Sequence, residues 1–156
     1  MRIIIGLIVG VMLGIGGPIR DARADFVEPA RGSETRKALM DALRPHAEWV
    51  LGRPVEFVVH ELRLAEGPGL PFAVAFASVQ AQRPGGGAID IRTTPGFLRG
   101  EIMAEVMDAS RLQALYRKVG DTWVAVHWAI GATDVWYADP EFCADYFAVL
   151  PEFCAG

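Results

Sequence analysis

The chain has 156 residues, a formal net charge of −4 at neutral pH and two cysteines, and 52% of its residues are hydrophobic. No stretch is strongly basic, which argues against a nucleic-acid-binding protein and against charge-driven binding to an anionic membrane surface. The apolar N-terminus accounts for part of the high hydropathy, and the remainder has the length and composition of one globular domain.

The first 24 residues have the organisation of a secretory signal peptide. Arg2 precedes the apolar run Ile3–Gly17, and the sequence Ala-Arg-Ala at 22–24 supplies a small-x-small cleavage site. The run has 15 residues, whereas a membrane-spanning helix needs about 20, so a retained anchor is the alternative interpretation. Cleavage leaves residues 25–156 as a single domain with a formal charge of −6 and no stable membrane span. The expected location is periplasmic or secreted.

A helix is predicted to begin after Ser33 and to end at Gly52. Ser33 is a suitable N-cap, and glycine is the usual residue just past a helix end. Pro45 interrupts the helical pattern, and its ring disfavours a helical conformation at the preceding residue, so we expect a kink or a break there. Apolar residues recur at helical spacing on one face: Leu39, Leu43, Ala47 and Val50.

The hydrophobic period changes from helical to two after residue 54. Residues 55–64 and 72–82 predict two strands separated by a loop rich in glycine and proline. Ile89 and Ile91 predict a short further strand. Residues 101–110 fit either a short helix or a loop that covers the sheet, and the sequence does not decide between them.

A β-hairpin is the clearest element of the sequence. Leu112–Val119 and Thr122–Ile130 are strand-like runs on either side of Gly120-Asp121, which is a strong turn pair. The second run is bulky on both faces, so we expect it in the middle of the sheet rather than at an edge.

A short C-terminal helix is predicted to begin at Asp139. Asp139 supplies a capping carboxylate, and Pro140 and Glu141 are favourable in the first turn. The five residues Pro-Glu-Phe-Cys-Ala occur at 140–144 and again at 151–155. The order of elements predicts an α+β fold, in which the N-terminal helix packs on a curved antiparallel sheet of four to five strands.

The two cysteines are Cys143 and Cys154, both close to the C-terminus. In an exported chain with two cysteines, we expect a disulfide that fastens the C-terminal tail. The CxxC spacing of a redox site is absent, and a metal site needs more ligands than these two. No metal and no cofactor are expected.

His127 and Asp134 are the candidate catalytic residues. His127 lies in an apolar strand, so a buried imidazole needs a hydrogen-bond partner such as Asp134 or Asp108. A histidine–aspartate pair in a concave sheet can act as a general base. A core histidine with its hydrogen bonds satisfied explains the same pattern, and no nucleophile motif completes a mechanism.

Trp136 and Tyr137 follow the last strand and complete the candidate binding surface. Aromatic side chains bind sugars and extended peptides through flat apolar faces with a polar edge. Together with His127 and Asp134 they predict a binding site at the rim of the sheet. The alternative is that both aromatic residues seal the end of the core, as large aromatic residues often do.

Residues 120–135 resemble the C-terminal part of small exported bacterial proteins of proteobacterial type. In those proteins a hairpin turn and a tryptophan precede an apolar strand and a Gly-x-Thr-Asp segment, as Gly131–Asp134 follows the strand here. The order of elements is also similar to cystatin-like and nuclear-transport-factor-like folds. Such folds host enzymes, ligand carriers and interaction modules, so the resemblance implies a fold and an exported location but no catalytic residue.

The sequence favours a non-catalytic exported domain that binds a protein or an envelope component through His127, Asp134, Trp136 and Tyr137. No binding to nucleic acid is expected. The alternative is a small enzyme or ligand carrier with a cone-shaped fold, in which His127 and Asp134 face a pocket.

Overall fold

The structure is a computed structural model that describes residues 26–105 and 108–155. The predicted signal peptide, residues 1–24, lies outside the described residues. The predicted α+β class is confirmed, with an N-terminal helix packed on a four-stranded antiparallel sheet and short helices at the C-terminus. The elements are α1 Glu34–Leu51, β1 Glu56–Ala65, β2 Val74–Gln82, α2 Pro95–Leu98, β3 Arg111–Val119, β4 Thr122–Ile130, α3 Pro140–Tyr146 and α4 Pro151–Cys154.

Helix α1 forms as predicted, and Pro45 does not break it. The Ser33 side chain caps the helix by accepting a hydrogen bond from the Arg36 amide at 3.2 Å. Gly52 ends the helix with φ of 77°, a conformation that favours glycine. Pro45 lies inside the continuous helix and is exposed. Its ring therefore faces solvent, and the buried apolar residues on the other side of α1 hold the helix against the sheet.

The predicted short strand at Ile89 and Ile91 is wrong. Residues 91–93 form a 3₁₀ turn, because the Asp90 side chain accepts a hydrogen bond from the Arg92 amide. The short helix α2 follows directly, and its Gly96 lies so close to Val50 of α1 that an added Cβ would be 2.6 Å from a valine methyl carbon. Residues 101–105 and 108–110 contain neither helix nor strand, which favours the loop interpretation of that region, while Val106 and Met107 lie outside the described residues.

The four strands pair in the order β1-β2-β3-β4, each antiparallel to its neighbour in sequence. The predicted hairpin is confirmed as β3 and β4, joined at Gly120-Asp121. A bulge interrupts this pair, because Tyr116 lies opposite Ala125 while Leu115 lies opposite His127. The extra residue is Val126. A bulge of this kind bends the strand and increases its twist.

The prediction that the last strand lies in the middle of the sheet is wrong. Within the described part of the chain, β4 pairs with β3 alone and forms an edge. Its bulk has another cause: α1 packs on one face, where Trp123 is buried and His46 stacks on Trp128 at 4.9 Å between ring centroids. Val124 and Val126 remain exposed.

The core between α1 and the sheet combines large helix residues with small strand residues. The alanines of β2 let the helix approach the sheet closely, as their alternation in the sequence indicates. The buried residues on this side include Leu39, Leu43, Ala47 and Leu51 of α1, Ala75, Ala77 and Val79 of β2, and Leu112, Ala114 and Tyr116 of β3.

The opposite face of the sheet is covered by the C-terminal segment, which we define as residues 136–155. Its apolar residues Tyr137, Tyr146, Val149 and Leu150 form a second core with Phe76, Leu115 and other strand residues. The sheet therefore has α1 on one face and this segment on the other. Of the helices in the described residues, none is both long enough and apolar enough to span a membrane.

The predicted disulfide between Cys143 and Cys154 is confirmed. Each copy of the repeated Pro-Glu-Phe-Cys-Ala sequence begins one short helix with proline in its first turn, which gives α3 and α4. The disulfide joins the two copies. It closes a loop across 11 sequence positions, so it holds the two short helices together.

Arg63 of β1 fastens the C-terminal segment to the sheet. Its guanidinium donates hydrogen bonds to the Val149 carbonyl at 2.9 Å and to the Glu152 carboxylate at 2.9 and 2.5 Å. It also bonds Glu61, and the ring of Phe26 lies 4.6 Å away. Arg63 is 9% exposed. A charge so deeply buried needs these partners, because leaving it unpaired would be costly.

We predict that Glu152→Gln lowers the free energy of unfolding at neutral pH and has no effect in strong acid. The hydrogen bond from Arg63 holds the pKa of Glu152 below its usual range. The ion pair therefore stabilises the fold above the pKa of the unfolded carboxyl, and this contribution is lost as the pH falls through the folded pKa. The loss at about pH 7 is expected to be below about 1 kcal/mol, because solvent screens a half-exposed carboxylate.

Urea unfolding at about pH 7 and about pH 2 measures this effect. Glu66→Gln is the matched control, because Glu66 is exposed and forms no ion pair with any residue that the structure describes. If Glu152→Gln lowers the free energy of unfolding by the same amount at both pH values, the prediction is contradicted.

Candidate functional site

An open cleft of about 630 Å³ lies beside the last strand, and we call it the β4 cleft. Residues 126–129 of β4 form one wall. The other wall comes from the chain that follows β4 and from the start of α3, and it consists of Asp134, Trp136, Asp139, Glu141 and Phe142.

The β4 cleft opens along the outer edge of the sheet. Successive residues of a strand point to opposite faces, yet four consecutive residues of β4 line the cleft. Such a wall includes the strand's edge and not one face alone. Among residues 26–105 and 108–155, the backbone hydrogen bonds of β4 are those to β3, so its outer backbone groups have no partner there.

His127 and Asp134 both line the β4 cleft, but they do not form the predicted pair. His127 is opposite Leu115 on the face that the C-terminal segment covers. Its ring lies 4.7 Å from that of Phe142 and 6.2 Å from that of Tyr146. Within the described residues His127 forms no hydrogen bond or ion pair with a carboxylate. The hydrogen-bonded histidine–aspartate pair on which the catalytic hypothesis was based is therefore not seen among the described residues.

Trp136 and Tyr137 have different positions. Trp136 is half-buried in the cleft wall, edge-on to Phe142 at 5.5 Å. Tyr137 is 8% exposed and packs against Phe76 at 4.8 Å and Phe153 at 5.1 Å. Burial, with a smaller effect of Glu61, raises the pKa of Tyr137. Tyr137 therefore seals the core, as the alternative interpretation of the sequence expects, and Trp136 lines the cleft.

The charges of the β4 cleft are negative. Asp134, Asp139 and Glu141 are exposed in its wall, and no lysine or arginine of the described ranges lines it. None of the three carboxylates forms an ion pair with a residue of the described ranges. Asp139 also caps α3 by accepting a hydrogen bond from the Glu141 amide at 2.9 Å. The cleft thus combines aromatic faces with carboxylates that are not neutralised.

A second hollow of about 500 Å³ adjoins the cleft and shares Asp134 with it. Gln113 of β3 lines this hollow and is 8% exposed, and its Oε1 has no hydrogen-bond partner among the described residues. A buried acceptor without a donor is unfavourable for folding. Arg111 lies in the same hollow and is held by Asp108 at 3.6 Å.

A further charged hollow lies at the start of α1, where Arg36 and Lys37 are held by ion pairs and Arg31 is exposed, without an ion pair among the described residues. Arg36 donates to Glu28 and to the Pro29 carbonyl, and Lys37 donates to Asp41. Among the described residues, no group of three or more His, Cys, Asp or Glu side chains is arranged to hold a metal ion. The β4 cleft is the candidate site, because His127, Asp134 and Trp136 line it together.

Sequence reasoning identified three of the cleft residues and missed others. His127, Asp134 and Trp136 lie in the cleft, whereas Glu141 was predicted only to favour the start of α3 and Phe142 was not predicted to line a site. Their position beside β4 depends on how the C-terminal segment folds back across the sheet, and no local pattern encodes that.

Comparison with known proteins gives no match: no family model, curated protein or solved structure is similar to the chain. The resemblance of residues 120–135 to small exported bacterial proteins stays a prediction. The roles of the cleft residues therefore rest on their geometry and chemistry.

We predict that Gln113→Met stabilises the fold by about 0.5–1 kcal/mol, because it replaces an unsatisfied buried acceptor with an apolar side chain of similar shape. Urea unfolding measures the change, and Gln82→Met, on a half-buried residue of β2, is the control. A loss of stability of about 1 kcal/mol or more in Gln113→Met would show that Oε1 is hydrogen-bonded in solution.

Proposed function

We propose that the protein is an exported, non-catalytic domain that binds a protein or an envelope component in the β4 cleft. The observation that carries this proposal is a strand edge that has no partner among the described residues and lies next to aromatic side chains and carboxylates without ion pairs there. An interface of this kind offers backbone groups, flat apolar surface and charge at one place.

Export to the periplasm or the cell exterior is supported by two features of the chain. The first 24 residues have the charge and hydropathy pattern of a cleavable signal peptide. The chain's two cysteines form a disulfide, and such bonds persist in oxidising compartments and are rare in the cytosol.

A binding role is favoured over catalysis because of the surroundings of His127. Its ring contacts the aromatic rings of Phe142 and Tyr146 and has no carboxylate partner in the described residues. Trp136 supplies the kind of side chain that dominates binding energy at interfaces.

The second candidate function is that of a small-ligand carrier with His127 and Asp134 at its pocket. Its support is the volume of the cleft, about 630 Å³, which lies within the range of small-molecule sites. The cleft is open along the strand edge, however, and small-molecule sites usually enclose most of the ligand.

We predict that Trp136→Ala lowers retention of the bound component about tenfold or more, because tryptophan anchors often contribute at least this much. The immobilised protein is exposed to an extract of its native cell envelope, and the retained components are quantified. Trp49→Ala is the matched control, because Trp49 is 67% exposed on α1 and lies outside the cleft.

Glu141→Lys provides a second variant that leaves the aromatic packing intact, since Glu141 is exposed. It is expected to change retention in the same way as Trp136→Ala, while the free energy of unfolding in urea falls by no more than about 1 kcal/mol, because lysine replaces an acid in the first turn of α3. Equal retention by all three variants and the original protein would contradict a binding role of the β4 cleft.

A further inference from the structure

The two edges of the sheet differ in how they are protected. At the outer edge of β1, Val27 pairs with Leu64, and the strand carries Glu56, Glu61 and Arg63. Charged residues and an added chain segment are the usual means by which proteins prevent an edge strand from pairing with another chain. In β4, none of the nine residues is Asp, Glu, Lys or Arg.

The β4 cleft lies along the part of this edge that follows the bulge at Val126. The cleft wall starts at Val126 and includes the next three residues. An extended segment added there would pair its backbone with the outer groups of β4. Every second side chain of that segment, about 7 Å apart, would point to the same face of the enlarged sheet.

The carboxylates of the β4 cleft lie on one face of the sheet. Every second side chain of an added strand would point to that face. Asp134 and Glu141 line the cleft together with Trp136 and Phe142, and no basic residue lies among them. A lysine or arginine side chain is attracted by carboxylates and by the faces of aromatic rings. The cleft therefore favours a cationic side chain over an acidic one.

The buried acceptor of Gln113 is an independent observation that favours the same occupant. Its side chain lines the hollow that shares Asp134 with the cleft, and its Oε1 lacks a donor within the described chain. An ammonium or guanidinium group brings several N–H donors and no acceptor.

We propose that β4 accepts an extended segment of a partner protein, added as a fifth strand, whose alternate side chains are lysine or arginine and enter the β4 cleft. This inference rests on the proposed function and specifies its partner. A second copy of the chain is a poorer occupant, because β4 itself supplies no basic residue and each copy has a net charge of −4.

The test uses three synthetic ten-residue peptides and the protein produced from its full-length gene. The first peptide repeats Val-Lys five times. The second repeats Val-Glu and reverses the charge, and the third repeats Pro-Lys and keeps the charge while its prolines prevent a regular strand. Binding is measured by titration with detection by NMR, which also shows which residues are affected.

We expect the Val-Lys peptide to bind about tenfold or more tightly than either of the others and to shift the signals of residues 126–142. Asp134→Asn combined with Glu141→Gln should weaken its binding about fivefold. The control combines Glu66→Gln with Asp121→Asn, which removes the same charge from exposed residues outside the cleft, and it should bind as the original protein does.

Equal binding of the Val-Lys and Pro-Lys peptides would overturn strand addition, and equal binding of Val-Lys and Val-Glu would overturn the basic partner. A stable dimer of the free protein that pairs through β4 would also overturn the proposal. If these peptides fail while Trp136→Ala still abolishes retention of the envelope component, the chemistry of the partner is wrong and the binding function stands. If both fail, the cleft is not a binding site.

Discussion

Arg63 and its partners hold the C-terminal segment against the sheet. The guanidinium lies under the C-terminal segment, where it bonds the Val149 carbonyl and the Glu152 carboxylate. These hydrogen bonds join β1 to the C-terminal segment and help to fix where the segment crosses the sheet, while solvent screening of the half-exposed Glu152 keeps the contribution of the ion pair small. Arg63 is in β1, at the opposite edge of the sheet from β4, and the segment also reaches β4, where the ring of Phe142 lies 4.7 Å from that of His127.

The C-terminal segment needs this fastening because its own helices are short. Helix α3 has 7 residues and α4 has 4, and isolated helices of such length are unstable in water. The Cys143–Cys154 disulfide joins them, and Tyr146 and Leu150 pack on the sheet. The start of α3 is thereby held beside β4, which brings Glu141 and Phe142 to the cleft. The composition of the β4 cleft therefore depends on how the C-terminal segment is held against the sheet.

Local patterns in the sequence predicted the elements that form from local interactions. The cap at Ser33, the turn pair at Gly120-Asp121 and the alternation in β1 are each encoded within a few residues, and all three are confirmed. Of the two alternatives predicted at Pro45, a kink or a break, the break was wrong, because the exposed proline lies in a continuous helix whose buried residues pack on the sheet.

The position of β4 and the composition of the cleft could not be predicted in the same way. Large apolar residues on both faces of a strand indicate that other elements cover both faces. They do not indicate whether the strand has a neighbouring strand at each edge. The contact between Arg63 and Glu152 joins residues 89 positions apart, and no local pattern links them. The sequence predicted that His127, Asp134 and Trp136 share one site, because they lie within a short stretch of the chain at the end of β4.

Amide hydrogen exchange in β4 tests the central claim, an unpaired outer edge beside the cleft, most directly. In the free protein the account predicts that alternate amides between Thr122 and Ile130 exchange rapidly, while those that bond to β3 are protected. Protection of every amide along β4 would contradict it, because the edge would then already be covered.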